Sequence, residues 1–366
     1  MAVRATAGAH GDEIRSDCRV TVTAHAGPPA FHLTSRVASL YGASIRTLAR
    51  ETLSALDAAD LSITIEDSGA LPYTLQARIE AAVLRLRPQT TATVLPAMHL
   101  NVSSLTSGLR QRPRRSRLYL PGNTPKFFIN AGLHRPDGVI LDLEDSVPEV
   151  DKDAARLLVR NALRAVDFYG AERMVRVNAL PAGLDDICAL APHGVDTFLL
   201  PKMEDAEVVK RVDQLLTELT SNCALIPILE SAKGVINAWS IVTASPRIVA
   251  LAIGLEDYTA DLGTERTPDG RESWWARSQL VNVARATGVQ PLTSVFANID
   301  DHAALFAWVQ AERALGFVGA GCLHPPSAGC PPGLGTDCRG SGKGKTHRGR
   351  FSARKVKVGL WRMSTA

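Results

Sequence analysis

The 366-residue sequence contains no apolar run of about 18 residues, the length that a membrane-spanning helix needs. Its first residues, MAVRATAGAHGDEIRSD, lack the apolar core of a signal peptide. The six cysteines show no Cys-X-X-Cys spacing, and no paired Cys/His spacing suits a structural zinc site. We therefore expect a cytoplasmic protein with reduced thiols and no association with a membrane.

The positive net charge of +4 is confined to the C-terminal segment. Residues 326–366 hold nine of the 41 lysines and arginines but only one of the 37 acidic residues, so the remaining chain has a net charge of −4. This segment has no apolar periodicity, and we expect a disordered basic tail. Nucleic-acid binding through the tail is disfavoured because no folded scaffold accompanies its charges.

The chain does have a series of short, β-branched apolar runs, each followed by a stretch with helical periodicity. There are eight: 117–123, 138–145, 174–178, 196–202, 225–231, 248–257, 291–297 and 316–325. This alternation predicts a parallel sheet with crossover helices. Eight such units with polar residues at the strand ends predict a (β/α)8 TIM barrel over 114–325, with its active site at the carboxyl ends of the strands.

A smaller unit precedes the barrel, over residues 1–88. Its pattern predicts a small α+β module with strands at 19–24 and 61–67 and helices at 41–56 and 75–86. Residues 89–113 are rich in Thr, Ser and Pro and are predicted to be a linker.

Two acids occupy matching places in consecutive barrel units. Glu230 ends the fifth run and Asp257 ends the sixth, so their carboxylates should lie side by side at one rim. Two hard oxygen ligands with room for water and substrate suit Mg²⁺. The alternative is that either acid caps the following helix or pairs with a nearby base.

Arg176 lies between two valines in the third run, so its side chain points opposite to theirs and could enter the barrel mouth. A guanidinium there can clamp a carboxylate or polarise a carbonyl. A buried ion pair with Glu144 or Asp145 is the alternative, and it would also hold the arginine in position. Because these two acids are adjacent at the end of the second run, we expect one to enter the site and the other to cap the next helix.

The loop that ends the first barrel strand is a candidate phosphate contact. The backbone amides of the Pro-Gly-Asn sequence ending at Asn123, together with Lys126, could meet a phosphate group, and Arg115 just before the strand could do likewise. The same tripeptide is also an ordinary turn sequence.

Several motifs over 114–325 occur together in a specific order. They are RRSRLYLPGN (114–123), LDLEDSV (141–147), VRVNAL (175–180), LLPKMED (199–205), ILES (228–231), IGLEDYTADLGTERTPDG (253–270) and HP (324–325). In these motifs the chain resembles the citrate lyase β subunit and the malyl-CoA lyases of the aldolase/citrate lyase family. The stretch TERTPDG is more similar to citrate lyase.

This resemblance implies a carbon–carbon lyase that cleaves a citryl-thioester to an acetyl-thioester and oxaloacetate. It implies Mg²⁺ on Glu230 and Asp257, substrate contacts from Arg176 and Glu230, and catalytic roles for these two residues and Glu144. A lyase acting on malyl-CoA or a related 3-hydroxyacyl-CoA is the alternative. The family's lid segment, which carries an acid/base aspartate, has no match after Pro326, so a catalytically impaired carrier or assembly subunit is a further alternative.

The N-terminal unit resembles the acyl carrier (γ) subunit of citrate lyase in YGASIRTLARETL and IEDSGALPYTLQARIEAAVLRL. That subunit carries its substrate on a covalently attached phosphoribosyl-dephospho-CoA arm, at a serine in a Glu-Ser-(Ser/Gly)-Asp motif. Aligned on Asp17, this chain has Arg15 at the attachment position and Ser16 one place later, so Ser16 is the candidate. The resemblance also implies a citrate lyase α subunit as partner and a homo-oligomer.

Overall fold

The computed structural model describes residues 3–99, 108–298 and 300–324. Two units, each with its own apolar core, make up these residues. The prediction of a disordered tail at 326–366 lies outside the described residues.

The N-terminal module is a four-stranded sheet covered by two helices. Its elements are β1 (Val3–Ala7), β2 (Cys18–Ala24), β3 (Phe31–Ser35), α1 (Ala38–Ala55), β4 (Ser62–Asp67) and α2 (Pro72–Leu86). The strand order is β1-β2-β4-β3, and only β3 and β4 are parallel. The sequence predicted two strands and missed β1 and β3. Both are edge strands whose residues are mostly exposed or half-buried, so they lack a clear apolar alternation.

The second unit is a closed barrel of eight parallel strands, which confirms the predicted TIM barrel. The strands are β5 (Ser116–Pro121), β6 (Gly138–Asp142), β7 (Glu172–Arg176), β8 (Thr197–Leu200), β9 (Ala224–Leu229), β10 (Ala250–Ile253), β11 (Gln290–Val295) and β12 (Gly319–Cys322). Each strand pairs with the next, and β12 closes the ring on β5.

The helices follow the strands in the predicted alternation. They are α3 (Lys152–Ala165), α4 (Gly183–Leu190), α5 (Ala206–Glu218), α6 (Ala232–Ile236), α7 (Ala238–Val242), α8 (Leu255–Asp261), α9 (Trp274–Thr287) and α10 (His302–Leu315). Leu118 and Leu141 point outward into the layer between strands and helices, whereas Ile140 and Met174 fill the inside of the barrel. This alternation leaves the carboxyl ends of the strands to form one rim.

The two units are joined by buried contacts between α2 and α3. Arg160 on α3 donates to both carboxylate oxygens of Glu80 on α2, at 2.9 and 2.7 Å. The segment predicted as a linker also lies along α3, where Arg164 donates to the carbonyl oxygen of Pro96 at 2.8 Å. The N-terminal module is therefore packed against the barrel, and this part of the linker is held in place.

None of the helices in the described ranges is long and apolar enough to cross a membrane. Four of the cysteines fall in these ranges, and all four carry free thiols: Cys18, Cys188, Cys223 and Cys322.

Candidate active site at the carboxyl ends of the strands

A cavity of about 150 Å³ opens at the carboxyl ends of the barrel strands. Its walls include Arg176 at the end of β7, Glu230 after β9 and Asp257 in α8, together with Tyr119 and Arg117 from β5. The structure therefore brings three of the predicted site residues to one cavity, at the end of the barrel that the sequence indicated.

Arg176 is held mainly by Asp142, a partner that the sequence did not suggest. Its Nε and Nη2 donate to the two carboxylate oxygens of Asp142 at 2.6 and 2.8 Å, and its guanidinium lies 5.4 Å from the centre of the Tyr119 ring. Burial opposes the charged form of both partners, but their mutual hydrogen bonds lower the pKa of Asp142 and raise that of Arg176. The guanidinium is thus a fixed, charged donor at the rim.

Glu144 and Asp145 both turn toward Arg176. Glu144 is buried and lies 2.9 Å from Arg176 Nη1, whereas the more exposed Asp145 lies 3.5 Å from the same nitrogen. The expectation that one of them caps the next helix is wrong, since α3 has Asp151 at its N-cap and no side-chain cap bond. Burial, with the neighbouring charge of Asp145, raises the pKa of Glu144 although Arg176 opposes this.

Glu230 is buried directly after β9, and its position depends on its neighbours. Its Oε2 accepts a hydrogen bond of 2.8 Å from the backbone N–H of Lys202. A Cβ on Gly254 would lie 2.5 Å from Glu230 Oε1, so only glycine allows this placement. Burial and the nearby Glu144 raise the pKa of Glu230 to about 8.

Asp257 reaches the cavity from a helix rather than from a strand end. Strand β10 ends at Ile253, and Asp257 lies in the first turn of α8. The prediction of matching strand-end positions is therefore wrong for Asp257 but correct for Glu230. Asp257 Oδ2 lies 4.0 Å from Lys202 Nζ, which also lies 3.2 Å from Glu144 Oε1.

The carboxylates of this site suit a hard divalent cation that the protein coordinates only in part. No cluster of three or more His, Cys, Asp or Glu side chains suited to a metal occurs within the described ranges. Glu230 is a buried carboxyl group whose pKa is raised mainly by burial, so a cation beside it would stabilise its charged form, and Asp257 lines the same cavity. Two carboxylates would leave the remaining positions of a Mg²⁺ ion to substrate and water oxygens.

Three predicted substrate contacts lie outside this cavity. Arg115 precedes β5 at the amino end of the barrel and pairs with Asp137 at 2.8 and 2.7 Å, so the expectation that it reaches the site is wrong. Asn123 and Lys126 are at the correct end, in the loop after β5. Lys126 is exposed above the Phe127 ring, and the Asn123 carbonyl accepts a hydrogen bond from the N-terminal module.

Two cations of the cavity region were missed. Lys202 follows β8 in a left-handed conformation with φ of 52°, which aims its backbone N–H at Glu230. Arg117 is 1% exposed inside the barrel and donates from Nη2 to the carbonyl oxygen of Thr293 at 2.9 Å. A charged residue at the end of one apolar run and another at the start of a second run were the available signals in the sequence.

Ser16 lies in the loop between β1 and β2, with a positive φ of 59°. The adjacent Asp17 accepts two hydrogen bonds from Arg78, at 2.9 and 2.8 Å. Arg78 also donates to the carbonyl oxygen of Asn123 at 2.9 Å. This chain of contacts places the Ser16 loop beside the barrel loop after β5, at the same end as the cavity.

The two units match known families separately. Residues 115–325 match the HpcH/HpaI aldolase/citrate lyase family, and residues 4–86 match the acyl-carrier family described as malonate decarboxylase delta subunit. The citrate lyase subunit beta of Leuconostoc mesenteroides subsp. cremoris is 37% identical over 224 residues, or 59% of this chain and 74% of that protein. The L-malyl-CoA/beta-methylmalyl-CoA lyase of Cereibacter sphaeroides is 30% identical over 58% of this chain and 76% of that protein.

A solved structure supports the same relationship. The citrate lyase beta subunit of M. tuberculosis, complexed with oxaloacetate and magnesium, is 32% identical, with a TM-score of 0.51 over 60% of this chain and 95% of that one. Both predicted resemblances are confirmed. The chain belongs to the HpcH/HpaI aldolase/citrate lyase family and is a carbon–carbon lyase of the citrate lyase or malyl-CoA lyase type, joined to an N-terminal acyl-carrier-like module.

Proposed function

We propose that this chain is a Mg²⁺-dependent lyase that cleaves a citryl-thioester to an acetyl-thioester and oxaloacetate. The observation that carries the proposal is that Arg176, Glu230 and Asp257 line the same cavity. The relative from Leuconostoc is a citrate lyase subunit, and the M. tuberculosis structure holds oxaloacetate and magnesium. Both similarities favour citryl over malyl substrates.

Glu230 and Asp257 are the residues that would hold Mg²⁺. When bound, the ion supplies Lewis acidity toward the hydroxyl and the adjacent carboxylate of the substrate, which lowers the pKa of that hydroxyl. The backbone N–H of Lys202 and the absence of a side chain at Gly254 keep the Glu230 carboxylate oriented. Lys202 Nζ adds a positive charge between Glu144 and Asp257.

Arg176 is the group that would stabilise the developing negative charge. The hydroxyl loses a proton, the carbon–carbon bond breaks, and its electron pair moves onto the thioester oxygen as an enolate. Asp142 accepts hydrogen bonds from Nε and Nη2 of Arg176, which leaves the second N–H of Nη2 for that oxygen. Nη1 faces the carboxylates of Glu144 and Asp145. A donor in this role typically contributes about 3 kcal/mol. A proton added to the enolate carbon completes the acetyl group and balances the one that left the hydroxyl.

The N-terminal module is proposed to carry the acyl group on a phosphoribosyl-dephospho-CoA arm attached to Ser16. The contact from Arg78 to Asn123 supports this, because it keeps the Ser16 loop at the rim that holds the cavity. Asn123 and Lys126 would then meet the phosphates of the arm. A carrier in the same chain raises the effective concentration of the thioester at the cavity.

Exposed apolar side chains support assembly into a homo-oligomer, with a citrate lyase α subunit as a further partner. Ile236, Trp239, Trp274 and Trp275 are each more than half exposed, and they belong to helices that pack together on one side of the barrel. Such patches on a protein surface commonly mark interfaces.

The reaction is tested by a coupled assay for oxaloacetate release from citryl-CoA. We expect release that depends on added Mg²⁺ and stops with EDTA. Release of glyoxylate from malyl-CoA at a higher kcat/KM than oxaloacetate from citryl-CoA would assign the chain to the malyl-CoA lyases instead. Turnover that is unaffected by EDTA would contradict the metal assignment.

The carrier role is tested by mass spectrometry of the peptide containing Ser16, from cells that make the prosthetic group. We expect an adduct of the mass of the arm in the wild-type chain and in Arg15→Ala, and none in Ser16→Ala. An unmodified wild-type peptide, while a bona fide carrier in the same cells is modified, would contradict attachment at Ser16.

A further inference from the structure

Arg117 is a buried cation in the floor of the active-site cavity. It is the second residue of β5, so it lies deeper in the barrel than Arg176, which is the last residue of β7. Its side chain points inward and lines the same cavity as Glu230 and Asp257. Only 1% of its surface is exposed to solvent.

Within the described ranges, no carboxylate forms an ion pair with Arg117. Its Nη2 donates to the carbonyl oxygen of Thr293, and its buried Nε has no hydrogen-bond partner there. Burial lowers the pKa of Arg117, whereas Tyr119, Cys322 and, least of all, Glu172 oppose this shift. Glu172 is already paired with the buried Arg114 at 2.9 Å, so it does not balance the charge of Arg117 by contact.

The other cations of the site do have acidic partners. Arg176 pairs with Asp142 and Glu144, and Lys202 pairs with Glu144 and approaches Asp257. Arg117 is thus a buried positive charge at the bottom of the cavity, where the dielectric constant is low. Within the described ranges, no protein carboxylate is its counterion. Such a charge is costly unless a ligand compensates it.

We propose that Arg117 binds the second carboxylate of the oxo-acid half of the substrate and so selects a dicarboxylic product. This inference rests on the proposed function and assigns its substrate class. The oxaloacetate half of a citryl-thioester bears two carboxylates, of which one lies beside the reacting hydroxyl and the other at the end of a methylene group. The glyoxylate half of a malyl-thioester lacks this distal carboxylate and gives Arg117 no anion to bind.

The test compares two oxo acids in the presence of Mg²⁺ by isothermal titration calorimetry. Oxaloacetate carries the distal carboxylate, and 2-oxobutanoate has an uncharged methyl group in its place. We expect the full chain to bind oxaloacetate about 10- to 100-fold more tightly, the range of a hydrogen bond to a charged group. Arg117→Met should lose this preference while its affinity for 2-oxobutanoate stays unchanged.

Arg247→Met is the matched control, because Arg247 pairs with Asp213 away from the cavity; it should keep the preference. Arg117→Met should also lower kcat/KM for citryl-CoA more than for malyl-CoA. Equal weakening of both oxo acids, or no change in either, would overturn the role of Arg117.

The comparison does not depend on the methionine variant alone. If Arg117→Met does not fold, Arg117→Lys should keep a preference for oxaloacetate. The affinities of the wild-type chain for oxaloacetate and 2-oxobutanoate also measure this preference. Equal binding of the two oxo acids by the wild type would overturn the inference and leave the proposed function standing. Failure to bind either acid would overturn both.

Discussion

Arg160 and Glu80 form a buried ion pair that joins the barrel to the N-terminal module. Two hydrogen bonds link their side chains, which are 7% and 2% exposed. The pair lies between α3 and α2, which make an extensive contact. The position of the acyl-carrier-like module relative to the active-site cavity therefore depends on packing as well as on chain connectivity.

Replacing Glu80 with alanine should destabilise the folded chain by about 3–5 kcal/mol, because it leaves the charge of Arg160 buried without its partner. Urea unfolding measures the free-energy change. Glu66→Ala is the control, since Glu66 pairs with Arg19 on the surface, where such pairs contribute about 1 kcal/mol or less. Equal destabilisation by the two substitutions would show that the buried pair contributes no more to the free energy of unfolding than a surface pair does.

Replacing Glu230 with glutamine, or Asp257 with asparagine, should remove the Mg²⁺-dependent lyase activity without unfolding the barrel. Each change removes one charged ligand but keeps the shape of the side chain. Mg²⁺ titration, turnover and circular dichroism should be measured together. Glu207→Gln, on the exposed surface of α5, should keep both Mg²⁺ affinity and turnover. Wild-type turnover in both site variants would refute the metal assignment.

Replacing Asp142 with asparagine should lower kcat by about 100-fold, because a displaced Arg176 no longer meets the thioester oxygen. Asp142 binds two nitrogens of Arg176 and also accepts a hydrogen bond from the backbone of Glu144 at 3.1 Å. Asp145→Asn is the comparison, since Asp145 is exposed and more distant from Arg176; its effect should be smaller. A thermal-unfolding scan shows whether the variant loses activity because Arg176 is misplaced or because the chain is less stable. An unchanged kcat in Asp142→Asn would contradict the proposal that Asp142 positions Arg176.

The sequence predicted the barrel because its apolar runs and helical stretches alternate eight times, and a local pattern of this kind does not depend on tertiary contacts. It also located Glu230, which directly follows a strand. Asp257 was harder to place, because the run IVALAIGLED continues from β10 into α8 without a polar break. The strand ends at Ile253, and the next residue, Gly254, is already the N-cap of α8.

The partners of Arg176 also depend on tertiary structure. Asp142 and Arg176 face each other because of the register between β6 and β7, which the sequence of either strand alone does not specify. The inward direction of Arg117 follows from strand alternation, but the lack of a counterion among the described residues depends on the neighbouring strands.

His193 should make the stability of the folded chain depend on pH. It is partly buried after α4, and its Nδ1 lies 3.3 Å from Arg164 Nη1, where a neutral imidazole can accept the hydrogen bond. Burial, followed by the charges of Arg160 and Arg164, lowers the pKa of His193 from 6.5 to about 4. The unfolded chain therefore binds a proton more readily between these values.

It follows that the contribution of His193 to stability is fully present above pH 6.5 and is lost as the pH falls toward 4. Urea unfolding at pH 7.5 and pH 5 measures this loss. His193→Asn cannot be protonated and should lose less stability than the wild type over the same interval, since the carboxylates titrate alike in both chains. Equal losses in the two chains would mean that the arginines do not hold His193 neutral, and would place its imidazole in contact with water.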